Sequence, residues 1–532
     1  MSQLANNIEV QTINHLGIIA GIIDEIGIVE IINEQLGIKS QEKLSCGIIV
    51  KSIILNAMGF VSRPLYLFPQ FFNDKATEHL FGEGILPEDF NDDRIGRVLD
   101  KLYKFGLNKI FLAITLKACQ IYGIDRTYSH LDSSSISVEG DYLICERENE
   151  ENLEPIPIKI VRGHSKDKRP DLKQFLINLI VSGDGGVPLF LSCGNGNDSD
   201  KAKFATILSD FKKQVNLDSI FVADSALYTA ENLLTIKNLK WITRVPLSIK
   251  AAQLYVRDLT DSQFVETDIE GYKAVEKESN YGGIKQKWII IESASRKESD
   301  LKQLSKKIAK DEEKASCLVN SLSKKNYENR TEIKAVFQCE QKKIKYHNLV
   351  LKDVEKTTDK KRNQTVYKAS LTLEKQTKKI EEEKKKAGRF ILATNVLKDL
   401  SPSEILTRYK GQKSCEGGFR FFKDPLFFAD SVFLKYPSRI ETMAMLMGLS
   451  LLVYSIGQRQ LRANLKQNNA GVKNQLGKLT DKPTLRWIFQ CFQGIHVVVL
   501  NGVKQIVNLT DSRVETLNYF PKYCQKYYIL SG

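Results

Sequence analysis

The chain has 532 residues, of which 42% are hydrophobic, so it is long enough to form several domains with their own cores. Its 78 lysines and arginines exceed its 64 acidic residues by 14, an excess that favours a polyanionic partner, most commonly nucleic acid. Nine cysteines without a CxxC pair and six scattered histidines argue against a disulfide framework and a zinc module.

The first residues, MSQLANNIEVQ, lack a basic segment followed by an apolar run. No stretch of the sequence is expected to be long and apolar enough to span a bilayer. We therefore expect a cytoplasmic protein, neither exported nor inserted in a membrane.

Residues 14 to 123 have the periodicity of helices. Apolar residues recur at spacings of three and four in HLGIIAGIIDEIGIVEIINEQLG and again in NDDRIGRVLDKLYKFG. In the second segment Asn91 to Asp93 offer an N-terminal cap and Gly106 an end. We predict an all-helical N-terminal domain, residues 1–124, for DNA binding or assembly. Within it, the aromatic stretch GFVSRPLYLFPQFF has two prolines and favours a packed turn or an oligomer contact over a continuous helix.

From about residue 125 the pattern changes to strands. Strands are predicted in TYSHLDSSSISV, on both sides of the turn in DLKQFLINLIVSGDGGVPLFLS, in SIFVADS and in WITRV. Helices are predicted in DSDKAKFATILSDFKK and in YTAENLLTIKNL, the latter capped by Thr229. This order of elements predicts a mixed α/β sheet of the ribonuclease H-like kind, whose first half covers residues 125–245.

After residue 245 the chain becomes more charged. A hairpin is predicted through NYGG, a polar helix over residues 296–325 and further strands over 331–373, while EKQTKKIEEEKKKAG is interpreted as a solvated helix or connector. We predict a β-rich insertion over residues 246–388.

The catalytic core is expected to resume at residue 389 and to extend to 465. It begins with a buried strand, GRFILATN, and a helix, SPSEILTRYKGQ, that Ser401 or Ser403 can cap. Residues 466–532 form a C-terminal region that is a candidate for dimerisation.

Three acidic residues are candidates for one site. Asp132 lies within the first predicted strand, and Asp224 ends the SIFVAD strand, where parallel sheets place ligand sites. Glu416 lies in a predicted helix, YKGQKSCEGGFRFFK. Three carboxylates would suit Mg²⁺, and two such ions activate a nucleophile and stabilise the leaving oxygen in phosphodiester chemistry. The alternative is that acids at strand ends arise by chance in a chain with 64 of them.

The helix around Glu416 is predicted to carry a polar stripe. At about 100° per residue, Tyr409, Glu416, Arg420 and Lys423 share one face, with Gln412 at its margin. Such a stripe suggests a metal or an anionic partner, because a core helix would present aliphatic residues there.

A basic loop, GHSKDKRPDLKQ, is a second candidate for phosphate contact. Two interpretations remain open for it, a DNA-binding surface and a solvated loop. The histidine before Asp132, His130, is interpreted as a core residue rather than a ligand. The cations predicted to contact DNA in this loop or directly before it are Arg162, Lys166, Lys168 and Arg169.

The stretch from Tyr409 to Lys423 resembles the Tyr-Arg-Glu-Lys signature of DDE transposases from bacterial insertion sequences. All the spacings of that signature are kept, and one residue departs, since Gln412 stands where the signature has Arg. The stretches HLDSSSISV, GHSKDKRPDLKQ, VADSALYTAENL and FRFFKDPLF are similar to segments of the same group, as is the helical N-terminal part. The resemblance therefore covers most of the chain.

The resemblance implies a ribonuclease H-like core interrupted by a β-rich insertion, with Asp132, Asp224 and Glu416 as catalytic ligands of Mg²⁺ or Mn²⁺. It implies that Tyr409 and Lys423 contact phosphate at the transposon end. A neutral amide at Gln412 cannot make the charged contact of Arg, although Arg420 could supply the charge.

The implied activity is cleavage at the element's ends followed by strand transfer to target DNA, carried out by a homodimer in a synaptic complex on double-stranded DNA near the nucleoid. Two alternatives remain open: a catalytically inactive protein that binds transposon ends, and a hydrolase of small phosphate esters. A hairpin intermediate with a base stacked on Trp288 also remains open, because tryptophan in a strand such as QKWIII is commonly a core residue.

Overall fold

The computed structural model describes residues 8–38, 42–60, 67–140, 142, 155–215, 218–359, 364–424, 434–500 and 502–530. The chain forms two compact units, one from residues 1–241 with 408–532, and the other from residues 242–407. The predicted domain boundaries at 124, 245, 388 and 465 remain predictions. The predicted turn in GFVSRPLYLFPQFF falls partly outside the described residues, at 61–66.

The N-terminal part of the first unit is mostly helical, as predicted. Its longer helices end where the sequence supplies caps: Asn91 accepts a hydrogen bond from the N–H of Arg94, and Gly27 separates two helices with a left-handed φ of 78°. The elements are β1 (Ile8–Thr12), α1 (Leu16–Ile26), α2 (Ile28–Leu36), α3 (Cys46–Ala57), α4 (Phe68–Phe72), α5 (Thr77–Phe81), a 3₁₀ turn (Pro87–Asp89), α6 (Asp92–Phe105) and α7 (Leu107–Tyr122).

The prediction of an all-helical N-terminal domain is wrong at its beginning, where β1 is a strand. The rest of the first half of this unit follows the predicted order of strand, hairpin, helix, strand and helix. Its elements are β2 (Tyr128–Val138), β3 (Lys173–Ser182), β4 (Pro188–Gly194), α8 (Asp200–Gln214), β5 (Ile220–Ala223) and α9 (Ala230–Thr235), and the chain passes into the second unit within β6 (Lys240–Val245). As predicted, the side chain of Thr229 caps α9 by accepting a hydrogen bond from Asn232.

The sheet of the first unit is mixed. β3 pairs antiparallel with both β2 and β4, whereas β5 pairs parallel with β2. The strand order is therefore β4-β3-β2-β5, and β3 is buried along nearly its whole length. This is the arrangement expected of a central strand covered on both faces.

The second unit begins within β6, whose residues 242–245 pair with a later strand, β12 (Arg389–Thr394). The intervening and following elements are α10 (Lys250–Asp258), a 3₁₀ turn (Asp261–Gln263), β7 (Val265–Glu266), β8 (Tyr272–Tyr281), β9 (Ile284–Ser293), α11 (Ala294–Lys324), α12 (Arg330–Gln341), β10 (His347–Asp359), β11 (Gln364–Lys375), α13 (Thr377–Lys386) and β12 (Arg389–Thr394). All pairs in the order β6-β12-β9-β8-β7 are antiparallel, and β10 and β11 form a separate hairpin.

The second unit is less rich in strands than predicted. The hairpin through NYGG and the polar helix are confirmed as β8, β9 and α11, but the segment predicted as strands from residue 331 begins with helix α12. Asn329 caps α12 by accepting a hydrogen bond from the N–H of Glu332, and Ile333, Val336 and Phe337 pack into a local core. The cap and the helical spacing of these apolar residues outweigh their strand propensity.

Trp288 is a core residue of β9. Its side chain is 1% exposed, and its indole N–H donates to Oε1 of Gln286 at 3.2 Å. A base could not stack on this ring without opening the unit. The core interpretation of Trp288 is therefore favoured.

Most of the net charge lies in the second unit. Residues 242–407 contain 35 lysines and arginines against 25 acidic residues, which leaves them 10 of the 14 net positive charges. Lys302, Lys306 and Lys310 follow one another at one-turn spacing on the exposed face of α11. This surface suits a polyanion.

The chain returns to the first unit at residue 408, within the helix that follows β12. The remaining elements are α14 (Pro402–Lys410), α15 (Lys413–Phe422), α16 (Pro437–Gln467), β13 (Val472–Lys473), β14 (Leu479–Thr480), α17 (Leu485–Cys491), β15 (His496–Leu500), β16 (Val503–Val507), α18 (Asp511–Leu517) and α19 (Lys522–Gln525). Ser401 caps α14, as the sequence allows, by accepting a hydrogen bond from the N–H of Glu404.

Helix α16 is long and apolar enough, by length and composition alone, to cross a membrane, contrary to the expectation that no such stretch exists. Its most apolar part is 83% buried inside the protein, where it packs against α1, α3, α6, α7 and β4. Its composition is that of a helix buried on nearly all sides.

Glu441 near the start of α16 makes stability depend on pH. Burial raises the pKa of this carboxyl from 4.5 to about 7, although it accepts a hydrogen bond from the N–H of Ile158. Because the folded state holds the proton more tightly, its stability falls as pH rises from 4.5 to 7. We expect Glu441→Gln to raise the free energy of unfolding by about 2 to 3 kcal/mol at pH 8 and to leave it unchanged below pH 4.5.

Urea unfolding at pH 4 and pH 8 measures this difference. Glu231→Gln, on the exposed side of α9, is the control and should show no such dependence on pH. An equal effect of Glu441→Gln at both pH values would contradict the pKa shift.

The two ends of the chain pack together within the first unit. β1 pairs antiparallel with β15, which also pairs with β16. α1 lies against α19, and the hydroxyl of Tyr528 donates to the carbonyl of Asn14 at 2.6 Å. Lys51 and Tyr527 both bond to the carboxylate of Asp24. The role of the C-terminal region in dimerisation remains a prediction.

Gly21 allows α1 to approach α19 closely. A Cβ at this position would lie 2.4 Å from Cα and 2.5 Å from N of Cys524, and backbone atoms cannot move aside as a flexible side chain can. We expect Gly21→Ala to lower the free energy of unfolding by about 3 kcal/mol. Denaturant unfolding measures it, and a loss below about 1 kcal/mol would contradict this packing.

Candidate active site

The first two candidate acids lie side by side on adjacent strands. Asp132 is in β2, and Asp224 directly follows β5. The last residues paired between these parallel strands are Leu131 and Ala223, so each acid is the next residue along its chain. Neighbouring strands are about 4.8 Å apart, which places the two backbones next to each other at the carboxyl end of β5.

Local hydrogen bonds orient both carboxylates. Oδ1 of Asp132 accepts from the N–H of Ser133 at 2.8 Å. Oδ1 of Asp224 accepts from the N–H of Ala226 at 2.8 Å, which makes an Asx turn. Both residues are half-buried. The strands therefore present two carboxylates with partly fixed orientation.

The third acid is on α15, which is tied to β2 just before Asp132. The thiol of Cys415 donates to the carbonyl of His130 at 3.2 Å, and the amide of Gln412 donates to the carbonyl of Leu131 at 3.5 Å. Glu416 follows Cys415 and is exposed. These contacts hold the start of α15 against the strand that carries Asp132.

The charges of two of the candidate acids affect the buried thiol of Cys415. Burial raises its pKa well above the usual value, and the negative charges of Asp132 and Glu416 raise the pKa further. The thiol therefore stays protonated and can donate its hydrogen bond.

The three acids do not form a closed metal site as they stand. Across the described ranges, no three histidine, cysteine or acidic side chains lie close enough together to hold a metal ion. The donor chemistry nevertheless suits magnesium, since all three candidates are carboxylates. The structure thus brings Asp132 and Asp224 together and places Glu416 on a helix fixed to the same strand.

The prediction of one helix from Tyr409 to Lys423 is wrong. α14 ends at Lys410 and α15 begins at Lys413. Between them the N–H groups of Gly411 and Gln412 bond to carbonyls three residues back, which tightens the chain relative to an α-helix. The predicted polar stripe is therefore interrupted, with Tyr409 on one helix and Glu416 on the other.

The break is set by contact with β2. A Cβ on Gly411 would lie 3.0 Å from Cε1 of His130 and 3.0 Å from the carbonyl oxygen of Arg408. His130 is 2% exposed, and burial with the charge of Arg408 lowers its pKa to about 4. His130 is in the core as expected, but its Nδ1 makes no hydrogen bond within the described part of the chain.

The two adjacent glycines of α15 have different surroundings. A Cβ on Gly418 would lie 2.8 Å from Cδ2 of Leu179 in β3 and 3.2 Å from Cδ2 of Leu451 in α16. A Cβ on Gly417 would meet no atom within 4 Å. Close approach to the sheet thus explains Gly418 but not Gly417.

The remaining cations of the candidate site differ in their partners. Nζ of Lys423 lies 2.6 Å from the carboxylate of Asp167, so this ion pair joins the end of α15 to the basic loop. Arg420 is exposed and, among the described residues, makes no hydrogen bond or ion pair. Tyr409 is half-buried at the end of α14.

The basic loop is anchored beside Asp132. The N–H of Lys166 donates to Oγ of Ser135 at 3.0 Å, and its Nζ donates to the carbonyl of Ser133. Arg169 is paired with Asp171 through two nitrogens. Arg162 and Lys168 are exposed and, within the described residues, have no such partner.

Several residues of the site were missed by sequence reasoning. Cys415, Asp167 and Ser133 link α15, the basic loop and β2; each lies in a stretch that the sequence singled out, but none was predicted to take part in the site. For these residues the sequence offered one signal: Cys415 directly precedes the exposed Glu416 on a helix, which suggests that the Cys415 side chain faces the sheet.

Comparison with known proteins gives two family matches. Residues 8–116 match a family described as a domain of unknown function, DUF4277. Residues 129–454, more than half of the chain, match the family described as the transposase DDE domain. No curated protein matches.

One similar solved structure is the piggyBac transposase synaptic complex with hairpin DNA, determined by cryo-electron microscopy. It has 9% sequence identity and a TM-score of 0.38, over 99% of this chain and 83% of the other. A TM-score this low carries no argument about fold or function. The family match alone decides the relationship: the chain belongs to the DDE transposase family.

Proposed function

We propose that the chain is a metal-dependent DNA endonuclease and strand transferase that binds the terminal inverted repeats of a bacterial insertion sequence. The observation that carries the proposal is the adjacency of Asp132 and Asp224 at the ends of paired parallel strands, with the helix of Glu416 bonded to one of them. Family membership supplies the reaction class.

The order of the sheet supports a ribonuclease H-like core. Three antiparallel strands, β4, β3 and β2, are followed by β5 parallel to β2, with α8 in between. In open α/β sheets, ligands bind beyond the carboxyl ends of strands, which is where Asp224 lies.

Asp132, Asp224 and Glu416 would hold Mg²⁺ or Mn²⁺. When bound, such ions activate the attacking water or hydroxyl and stabilise the departing oxygen of a phosphodiester. The residues of the chain would orient these acids. The N–H groups of Ser133 and Ala226 donate to the carboxylates of Asp132 and Asp224, and the thiol of Cys415 holds the beginning of α15, which carries Glu416.

The surrounding cations would bind the DNA backbone. Lys166 and Lys423 hold the basic loop against β2 and α15, and Arg162 and Lys168 are exposed for phosphate contact. Gln412 would position the beginning of α15, since its amide donates to the carbonyl of Leu131. Arg420 would supply a positive charge from the same helix. Tyr409 and Arg169 complete the proposed DNA-contacting set.

We place the protein in the bacterial cytoplasm with the nucleoid, acting as a homodimer that synapses two element ends. The positive charge of residues 242–407 supports a long DNA contact. A second candidate is an inactive protein that occupies transposon ends, and the observation that favours it is the neutral Gln412 at the position where the signature has Arg.

Cleavage of DNA carrying the inverted repeats that flank the coding region separates these candidates. Incubation with Mg²⁺ or Mn²⁺ should release strands at the repeat ends, and EDTA should prevent it. Binding without any cleavage in either metal would favour the inactive protein. Failure to bind the repeats would contradict both candidates.

A further inference from the structure

A cavity of about 350 Å³ lies in the first unit, along the side of α15 that carries Ser414, Gly417 and Phe421. The turn at Gly186, helix α16 and the beginning of α17 form its other walls. None of the candidate metal-binding acids lines it. The cavity is therefore distinct from the proposed metal-binding acids, although it shares helix α15 and Arg420 with the proposed DNA-contacting surface.

The cavity is positively charged. Arg420 and Arg486 line it, and Asp424 is the acidic residue among its lining side chains. Arg486 is bonded to Asp424, whereas Arg420 makes no hydrogen bond or ion pair within the described residues. Two guanidinium groups and one carboxylate leave a single net positive charge, which matches one phosphodiester.

Hydroxyl donors complete the polar lining. Oγ1 of Thr484 accepts a hydrogen bond from the N–H of Trp487, so its own hydrogen is available to donate. Ser455 and Tyr454 line the wall that α16 forms. A charged guanidinium with neutral donors around it is the usual composition of a phosphate site.

Gly417 keeps the cavity open. A glycine inside a helix costs about 1 kcal/mol relative to alanine, so one without a packing reason calls for another explanation. A Cβ here would meet no atom within 4 Å, and the residue lines the cavity. A larger side chain would project into space that a ligand can use.

We propose that this cavity binds one phosphodiester of a DNA strand together with its attached nucleoside. Its volume is near the lower end of about 300–1,000 Å³ for ligand pockets, which suits one nucleotide unit but not a duplex. Arg420 is one helical turn after Glu416, so a strand held in the cavity lies within one turn of the third acid. This proposal rests on the proposed function.

The test measures binding without catalysis. A fluorescent 12-nucleotide oligothymidylate is titrated in EDTA with the full chain and with Gly417→Leu, which fills the cavity. We expect affinity to fall about tenfold, as for loss of one base contact. Thr206→Leu, which adds the same side chain to the exposed face of α8, is the matched control and should bind as the natural chain does.

Arg420→Ala tests the charge independently, because this exposed side chain can be removed even if Gly417→Leu fails to fold. Its plot of log affinity against log salt should be shallower by about 0.7. Lys117→Ala, an exposed cation on α7, should leave the slope unchanged.

The outcomes separate this proposal from the proposed function. Normal oligonucleotide binding by both Gly417→Leu and Arg420→Ala would overturn the proposal that the cavity binds a nucleotide and leave the transposase proposal intact. No binding or cleavage of DNA by the natural chain would overturn the transposase proposal. Displacement of the oligonucleotide by inorganic phosphate as effectively as by thymidine 3′,5′-bisphosphate would show a free-phosphate site and overturn the DNA assignment.

Discussion

Replacing Asp132 or Asp224 with asparagine is expected to reduce metal-dependent DNA cleavage by at least about 10³-fold while leaving DNA affinity nearly unchanged. A lost carboxylate removes a ligand and a negative charge from the proposed metal site, and such contributions are worth several kcal/mol in the transition state. Asparagine is nearly isosteric and its amide oxygen can still accept the hydrogen bond from Ser133 or Ala226.

Single-turnover cleavage with Mg²⁺ measures the loss, and thermal unfolding checks the fold. Asp218→Asn is the control, because this exposed acid precedes β5 and pairs with Lys240 at 2.9 Å on the surface. It should cleave as the natural chain does. Cleavage within about tenfold of normal by either variant would remove that acid from the site.

Replacing either of the two adjacent glycines of α15 with alanine is expected to change the free energy of unfolding, and the two changes should have opposite signs. Gly418→Ala places a Cβ 2.8 Å from Leu179, so we expect a loss of about 1 to 3 kcal/mol in the free energy of unfolding. Gly417→Ala meets no atom and should raise it by up to about 1 kcal/mol through helix propensity.

Gly418→Ala should also reduce cleavage by about 10²-fold, because relief of the clash moves α15 and with it Glu416, and a displacement near 1 Å can have that effect. Denaturant unfolding and single-turnover cleavage measure the two quantities. Equal stability changes at both positions would contradict the packing of α15 on the sheet.

Much of the core could be predicted because its signals are local. Apolar runs and alternation indicated β2 to β5, and Thr229 and Asn91 marked helix starts that the structure confirms. The acid at the end of β5 followed from the strand prediction. Its adjacency to Asp132 needed the parallel pairing, which depends on register between strands far apart in sequence.

Other features could not be predicted because distant contacts decide them. The break between α14 and α15 arises where Gly411 meets the ring of His130, about 280 residues earlier. In the sequence alone, nothing distinguishes Gly411 from the other glycines of the segment predicted as one helix. The helix α12 was missed for a different reason, since Val336 and Phe337 favour strands until the cap at Asn329 is weighed.

The packing of α1 against α19 has a consequence for folding during synthesis. α1 is buried on nearly all sides, yet α19, against which Gly21 packs, is about 500 residues later. At about 5 to 20 residues per second, a ribosome needs roughly 25 to 100 s to make the intervening chain. During that time the apolar surface of α1 lacks its final cover, so the first unit cannot finish folding until α19 has been made, and this surface is open to non-native contacts until then.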